Sequence, residues 1–594
     1  TTGDSCPPFA HAGSDHSPFA QAVTVVADMG DVTVPKTYRQ ALQSTHADYW
    51  RVAINKELGG LMALRTWECV PEDAMPEGAN LMHCHFVFAV KRKADGSIEK
   101  FKARLVADGN TQRYGVDFDR IFSTVVKTVT IRLVLAIAAA RDYNLSSIDV
   151  RQAYLQATLP QPLFMRMPPG LPPRDCRGVR LVCKLLRSIY GLRQAGREWA
   201  ELLTSFLLKW GFTRSTIDVC LYIFISGSSL LWVLVYVDDA LIVDNDSGLR
   251  ARFVHDLGDR FPIEDKGELS WILNVAVARD RPRRILTLSQ SLYVSDLLQR
   301  HDAFLSSTTT RTFKSPLGAL HLDPSDSPTP GSVAFDSMAS KRDTYMAIVG
   351  GLLWLANMSR PDLAYAASQL SRFMTNPGPT HFAAAVRVLC YVRDSSTCAL
   401  LFRPDPSLPF LVHVDSNWES RFSCTGAIFF LYGCPVHWFS KTQRSVSLSS
   451  AEAEYFGAML AARDILFIRD LLVDLSLPPD GPTLLCSDSK SAINMSLDPV
   501  AFKKTKHIMR AAAFLRDLVA KRALAMRHVP GNLMLADILT KPLGPAPFCR
   551  LLSLLNDCAS IIAQSLTSSN SSSAEEATAG ATSASKTPSD EKLQ

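Results

Sequence analysis

Apolar residues recur along this chain with two distinct periods. Between Tyr38 and Leu64 they stand at Ala41, Leu42, Trp50, Ile54, Leu58 and Leu61, a spacing that predicts a helix. Phe86–Val90 and Glu99–Ala107 are extended runs around Ala94-Asp95-Gly96-Ser97, and an Asp-Gly turn between such runs predicts a β-hairpin. Ile131–Ala140 reads as a helix, Leu145–Val150 as a strand and Glu198–Trp210 as a helix. Leu221–Ile225 and Leu230–Val237, separated by Gly227-Ser228-Ser229, predict a second hairpin. Helical sequence resumes at Tyr345–Leu355 and Leu363–Phe373 after a Ser/Thr/Pro/Asp-rich stretch, Ser306–Ser337, that reads as a loop or linker. Phe410–Val414, Gly426–Leu431 and Thr483–Cys486 read as strands, and Ala451–Leu472 and Lys490–Met495 as helices.

The pattern predicts an α+β, multidomain chain. Residues 1–34 lack a sustained period and read as a mobile lead-in; 35–305 form a first block, 306–409 a linking segment and 410–545 a second block. Residues 546–594, ending in Ser, Ala, Thr and Glu, are expected to be mostly disordered.

Composition narrows the class of molecule without assigning it a role. The 594 residues are 47% hydrophobic, enough to bury several cores, and no apolar run approaches the ~18 residues that a membrane helix needs. No signal peptide is visible at the N-terminus. The 13 Cys form no CxxC pair, which fits buried thiols in a reducing compartment better than a disulfide scaffold or a zinc knuckle. His83-Cys84-His85 looks metal-like, but strand alternation sets Cys84 opposite the two His, which favours core packing.

Net charge is only +6, yet its placement is uneven. Lys91–Arg141 holds eleven Lys/Arg against five Asp/Glu, and Ala501–Pro530 holds eight against the single Asp517. Each stretch suits a groove that follows a phosphate backbone, or else a solvated face.

The carboxylates give those stretches a context. Leu230–Val237 ends in Tyr236-Val237-Asp238-Asp239 and is followed by apolar Ala240–Val243, so two acids stand between buried strands. Asp149 ends the strand of Ile148-Asp149-Val150. Asp149 and Asp238 bridged by Mg²⁺ would suit in-line phosphoryl transfer; the plain alternatives are a surface Asp-Asp turn and a helix N-cap. Downstream, Asp415 follows Phe410–Val414, Glu452 and Glu454 open a helix, Asp488 follows a strand and Asp537 sits in Leu535–Leu539. Converging, such acids bind two Mg²⁺ and activate water; separately, they read as a turn, first-turn carboxylates, an N-cap and a surface residue.

In order and spacing, KRKADG (91–96), FKARLVA (101–107), IDVRQAYL (148–155), SIYGLRQA (188–195) and YVDD (236–239) resemble the reverse transcriptase of copia-type LTR retrotransposon Pol polyproteins. The resemblance implies a right-hand polymerase of fingers, palm and thumb over 35–305. Asp149, Asp238 and Asp239 would be its metal ligands, Lys102 and Arg104 would meet the triphosphate, Tyr154 would block a ribose 2′-hydroxyl, and Gly191 would allow close backbone approach. Residues 413–418, 438–443, 448–455, 505–508 and 536–542 resemble the RNase H domain that follows. That implies an RNase H-like α/β domain with a mixed five-stranded sheet, in which Asp415, Glu454, Asp488 and Asp537 cut RNA; Glu452 remains an alternative to Glu454.

The expected function is RNA- and DNA-directed DNA synthesis with hybrid cleavage. Two Mg²⁺ ions serve each site, with Mn²⁺ as an alternative. The partners are RNA template, DNA or tRNA primer, RNA–DNA hybrid and dNTPs, with no membrane; other polyprotein products such as integrase and capsid complete the set. Cytoplasmic virus-like particles or the nucleus would be the location. The competing expectations are a degenerate or domesticated copy that binds nucleic acid without catalysis, and a nuclease alone. Departures from the family pattern are Gly196 and Thr124 where Pro is usual, Asp108 for a cation, Asn417 for an acid, and Trp271-Ile272-Leu273-Asn274 where Phe-Leu-Gly is expected. Zinc-knuckle, aspartic-protease and integrase motifs are absent, so the chain reads as the C-terminal part of such a polyprotein, or a truncated copy.

Overall fold

The computed structural model describes residues 32–92, 97–306, 312–418, 422–497 and 509–557. The lead-in before residue 32, the Ala94–Gly96 turn, the Thr505–Ile508 block with Lys503 and Lys504, and everything after 557 lie outside the described residues. The described chain is α+β, with several sheets. It forms two compact units, one built from the chain up to Ser123 plus Gln152–Phe206, the other from Thr124–Arg151 plus everything after Phe206.

In the first unit the expected helix over 38–64 is broken in two. Tyr38–Gln43 is capped by the Thr37 hydroxyl, which accepts from the Gln40 N–H, and Ala47–Ala63 buries Trp50, Ile54, Leu58 and Leu61 on one face. That face meets a hairpin of β3 (Cys84–Arg92) and β4 (Ile98–Ala107), preceded in the chain by β1 (Trp67–Pro71) and β2 (Leu81–Met82). Trp50 meets the rings of Phe88 and Phe101 edge-on, with centroids 5.2 and 4.7 Å away, an arrangement that aromatic quadrupoles favour. Strand β5 (Asn144–Val150) belongs to the other unit; β6 (Thr158–Arg166) and β7 (Leu181–Arg187) complete a sheet of order β1-β7-β6-β2.

The second unit contains a six-stranded antiparallel sheet of order β12-β5-β11-β10-β9-β8. Its remaining strands are β8 (Thr213–Arg214), β9 (Leu221–Ser226), β10 (Ser229–Tyr236), β11 (Asp239–Asp244) and β12 (Ile263–Glu268). A smaller sheet joins β13 (Trp271–Ile272), β14 (Val275–Asp280) and β15 (Ile285–Ser289) to β16 (Leu400–Phe402). A third sheet is mixed and five-stranded, β19-β18-β17-β20-β21, as the resemblance led one to expect. It comprises β17 (Leu411–Ser416), β18 (Cys424–Leu431), β19 (Cys434–Thr442), β20 (Thr483–Ser487) and β21 (Leu524–His528); β17 runs antiparallel to β18 and parallel to β20. Helix Ser450–Asp474 lies against β17, burying Tyr455, Ala458, Ala462, Ile465, Leu472 and others at helical spacing.

Helix Thr128–Arg141 is apolar on every side, and the packing explains why: all residues from Thr130 to Ala140 are buried. It lies against β19 and β15. Its one internal cation, Arg132, donates to the carbonyls of Val436 (2.8 Å), Asn357 (2.6 Å) and Met358 (3.1 Å), and its guanidinium stacks 3.9 Å from the centre of the Trp438 ring. One continuous core thus includes Leu133, Trp232, Leu352, Phe429 and Ile465 and runs through stretches that local composition divides near residues 306 and 410.

Ser359–Leu363 folds around a buried ion pair. Arg360 donates to Asp362 through Nε (2.9 Å) and Nη2 (2.7 Å), and the Tyr391 hydroxyl donates to the same carboxylate at 2.8 Å. At the C-terminal end Pro545–Asn556 is a helix that buries Phe548, Leu551 and Leu555, an apolar i, i+3, i+7 stripe at the start of the segment read as mostly disordered. Among the described residues, no helix is long and apolar enough to cross a membrane.

Candidate active sites

The antiparallel register of β5 and β11 places Asp149 directly opposite Asp239. Asp238 stands in the turn from β10 to β11, where its carbonyl accepts the Val150 N–H at 2.8 Å. Val237, the other turn residue, has φ 60°, a left-handed conformation uncommon for a β-branched side chain. The register of β12 against β5 shifts between Asp265 and Gly267, leaving Lys266 as the extra residue of a bulge. Arg250 grips Asp265 with both terminal nitrogens (3.1 and 2.6 Å), and the Gly267 N–H donates to the same carboxylate at 3.0 Å. The bulge aims Lys266 Nζ at Asp239 (3.0 Å) and Asp149 (3.4 Å). Burial alone would lower the Lys266 pKa; the hydrogen bond and charge of Asp239, with Asp149 beyond, outweigh it and raise it.

Within the first unit, Arg104 and Tyr154, two of the four other residues singled out around this chemistry, are linked by ring contacts through Tyr190. Arg104 stacks over the Tyr190 ring, 4.6 Å from its centre, and Tyr190 meets the Tyr154 ring edge-on at 5.2 Å. Lys102 projects from the same side of β4 as Arg104; burial, then Arg104 and Lys91, lowers its pKa. Gly191 has φ 93°, and a Cβ there would run into the Ala107 carbonyl and stand 2.6 Å from Val106 Cγ1. Ala107 donates its N–H to the Tyr190 carbonyl at 2.8 Å, so the two backbones touch at this point.

The downstream acids converge on the five-stranded sheet. Asp415 ends β17 and is 2% exposed; Glu454 points down from helix Ser450–Asp474, and Asp488 follows β20. One ligand oxygen from each of these three lies within 4.8 Å of the others. Among the described residues, the other such group is His255, Asp256 and Asp259, on one helix face. Asp537 joins the cluster through Lys541, whose Nζ is 2.7 Å from Asp537 and 3.4 Å from Asp415; Thr540 donates its hydroxyl to Asp415. Burial first, then the charges of Asp415 and Asp488, raises the Glu454 pKa. Burial and Asp415 raise that of Asp488 and push Asp537 up to about 6. Burial would lower the Lys541 pKa, but Asp415 and Asp537 outweigh it and raise it.

These oxygen donors suit a hard divalent cation. Glu454 Oε2 is buried with no hydrogen-bond partner, an acceptor whose desolvation is compensated by no protein donor. Glu452 is occupied elsewhere, at the start of its helix. Its carboxylate accepts the Leu448 N–H at 2.8 Å, and its own N–H donates to the N-cap hydroxyl of Ser449 at 3.2 Å. Glu454 is therefore the one of the two that the fold brings to Asp415.

Residues 65–315 match the family described as reverse transcriptase (RNA-dependent DNA polymerase). The chain is 34% identical over 535 residues to the retrovirus-related Pol polyprotein from transposon RE1 of Arabidopsis thaliana, covering 89% of this chain and 35% of that protein. It is 33% identical over 518 residues to its counterpart from transposon TNT 1-94 of Nicotiana tabacum, covering 86% of this chain and 38% of the relative. The chain belongs with the Pol polyproteins of copia-type transposons. It spans about a third of the length of these curated relatives. A foamy viral protease–reverse transcriptase solved with an RNA/DNA hybrid overlaps 82% of this chain and 54% of its own at 11% identity, with a TM-score of 0.43, too slight an overlap to carry an argument.

Against the usual copia-type pattern, the departures acquire structural accounts. Leu273 and Asn274, at φ 48° and 60°, form the two-residue turn of the β13–β14 hairpin, so Asn takes a left-handed position where Gly is usual. Asn417 bridges backbone, donating to the Thr540 carbonyl and accepting from the Cys424 N–H, both at 2.8 Å. Asp108 pairs with His85 at 2.7 Å. Along β3, His85 and Val87 are exposed while Phe86 and Phe88 are buried; half-buried Cys84 shares their side, as alternation predicts. Sequence reasoning missed Lys266, Thr540 and Lys541. A signal existed for Lys541, four residues after Asp537 on a helical turn, but none for Lys266, which depends on a bulge.

Proposed function

We propose that this chain copies RNA, and then DNA, into DNA and degrades the RNA strand of the resulting hybrid. The observation that carries the reading is the pairing of Asp149 with Asp239 beside the strained Val237–Asp238 turn, in a chain of the reverse transcriptase family. Residues 35–305 would supply fingers, palm and thumb, 306–409 a connection, and 410–545 an RNase H-like domain.

Asp149, Asp238 and Asp239 would hold one pair of Mg²⁺ ions, and Asp415, Glu454, Asp488 and Asp537 a second. When bound, such ions neutralise phosphate charge and sharpen the attacking hydroxyl or water. Arg104 and Lys102 would receive the triphosphate of a dNTP, with Arg104 held on the Tyr190 face and so already oriented. Tyr154, braced by Tyr190, would stand against the 2′ position of the sugar and exclude a hydroxyl there. Gly191 would keep the backbone bare beside the templating pair. The primer 3′-hydroxyl attacks the α-phosphate, pyrophosphate leaves, and the chain grows by one nucleotide. At the second cluster, water attacks the RNA phosphorus, the bond to the 3′-oxygen breaks and that oxygen takes up a proton to leave a 3′-hydroxyl and a 5′-phosphate, while Thr540 and Lys541 hold Asp415 and Asp537 in place. RNA template, a DNA or tRNA primer and the hybrid are the partners this chemistry requires.

Primer extension on an RNA template with Mg²⁺, run beside hybrid cleavage, tests both halves. Asp238→Asn should abolish extension and spare cleavage, whereas Asp488→Asn should do the reverse. A well-folded chain that binds primer–template and extends nothing would overturn the polymerase reading. Cleavage that survives Asp488→Asn would overturn the nuclease reading.

A further inference from the structure

Cys69 on β1 and Cys183 on β7 are direct cross-strand partners. The hydrogen bonds that bracket this ladder fix the character of the pair. Leu186 N–H donates to the Thr66 carbonyl (2.8 Å) at one end and Glu72 N–H to the Arg180 carbonyl (2.9 Å) at the other. Both belong to even-numbered partners of β1, so alternation makes Cys69 and Cys183 a non-hydrogen-bonded pair. In such pairs the Cα atoms approach to about 4.5 Å, inside the range of about 4.4–6.8 Å that a disulfide spans.

The two thiols already interact, and they are unlike each other. Cys69 is exposed, whereas Cys183 is buried, with its sulfur 3.5 Å from Met167 Sδ. We propose that Cys69 and Cys183 form a redox-modification site, in which a peroxide oxidises the dithiol to a cross-strand disulfide. The Cys69 thiolate attacks one peroxide oxygen; its S–O bond forms as the O–O bond breaks, and the leaving hydroxide takes up a proton. The sulfur of Cys183 then attacks that of Cys69. The S–S bond forms as the S–O bond breaks, and the departing hydroxide leaves as water with the Cys183 proton. Two thiols and one hydrogen peroxide give one disulfide and two waters, with two electrons passing from sulfur to oxygen.

The local environment favours the exposed partner as attacker. The hydrogen bond from Cys183, against opposing burial and with help from Trp67, brings the Cys69 pKa down to about 7, so a large thiolate fraction exists at neutral pH. The sulfur of Cys183 is the resolving partner, already adjacent to the intermediate. Another half-buried thiol nearby, Cys84, has its pKa pushed up to about 12 by burial and by Asp108, and is inert by comparison.

The site is independent of the polymerase reading, since it rests on the register of a sheet. The test treats the full chain in its native state with a modest excess of hydrogen peroxide, blocks remaining thiols by alkylation, digests without reductant and maps the peptides by mass spectrometry. The expected result is a peptide pair joining Cys69 to Cys183 that disappears on reduction. It should be lost in Cys69→Ser, an exposed and isosteric change, while Cys183 becomes alkylatable only after unfolding. Diamide, a thiol oxidant that passes through no sulfenic acid, should give the same pair. Oxidation of Cys69 to sulfinic acid with Cys183 still a thiol would overturn the proposal, as would a disulfide joining Cys69 to any other cysteine.

Discussion

Replacing Asp537 by Asn is expected to make the protein harder to unfold while stopping hybrid cleavage. In the cluster itself, burial and Asp415 raise the Asp537 pKa from 3.8 to about 6 despite the ion pair with Lys541. A rise of about two pH units means that the ionised carboxylate costs the folded state about 3 kcal/mol relative to its neutral form. Asn mimics the neutral form in shape and loses no net attraction. Without divalent metal at pH 7.5, Asp537→Asn should therefore gain about 1–3 kcal/mol. The sign fixes the pH dependence: the cost is complete above about pH 6, shrinks as pH falls and vanishes below the unfolded value of 3.8. Wild type and variant should thus converge near pH 4. Urea unfolding with EDTA at pH 7.5 and 4.5, followed by tryptophan fluorescence, measures the difference at each pH. Adding Mg²⁺ at pH 7.5 should stabilise the wild type more than the variant. A variant no more stable than wild type at pH 7.5, or a gap that persists unchanged at pH 4.5, would refute the argument that the acids repel one another.

Three further outcomes follow from particular contacts. Glu454→Gln should stop hybrid cleavage without lowering the unfolding midpoint, whereas Glu452→Gln should keep cleavage and lose about 1 kcal/mol at the helix start, measured by parallel cleavage and urea titration. Gly191→Ala should destabilise by about 3 kcal/mol, because its Cβ meets the Ala107 backbone at a positive φ; calorimetry would read this as a lowered Tm. Arg132→Met should cost about 3–5 kcal/mol by stranding the carbonyls of Val436, Asn357 and Met358, with Arg132→Lys recovering part of it in equilibrium unfolding.

Asp149, Asp238, Asp415, Asp488 and Asp537 stand out in the sequence because they end or interrupt apolar runs, but separately each also reads as a turn, cap or surface residue, and the motifs shared with copia-type Pol polyproteins are what joined them. The hairpins and the long helices were legible through period and turn chemistry. The choice between Glu452 and Glu454 stayed open in the sequence, and the contacts of the folded chain separate the two. Ser449-Ser450-Ala451-Glu452 caps the helix, which holds Glu452 at the helix end and frees Glu454 for the cluster. The sheet of β1, β2, β6 and β7 was not legible: Pro160, Pro162 and Pro168 blur its alternation, and Pro71 ends its edge. Lys266 was hidden because a bulge, which no periodicity encodes, turns its side chain toward the acids. Arg132 is a lone cation in an apolar helix that the sequence reading passed over, and its partners come from sequence more than two hundred residues away.

The same arginine bears on how such a chain can change over generations. Its guanidinium ties the helix before β5 to β19 and to the end of helix Arg342–Met358, so the two carboxylate clusters are rooted in one hydrophobic interior. A break placed near residue 410 would not release an independently folded block. It would uncover Trp438, the flank of helix Thr128–Arg141 and a guanidinium stripped of its Val436 acceptor. Lineages of this architecture are therefore poorly suited to trading the segment after residue 410 away or acquiring a foreign one by recombination at that junction. Point substitutions that erase single carboxylates remain open to them, so silent copies should more often carry a lost acid than a missing half.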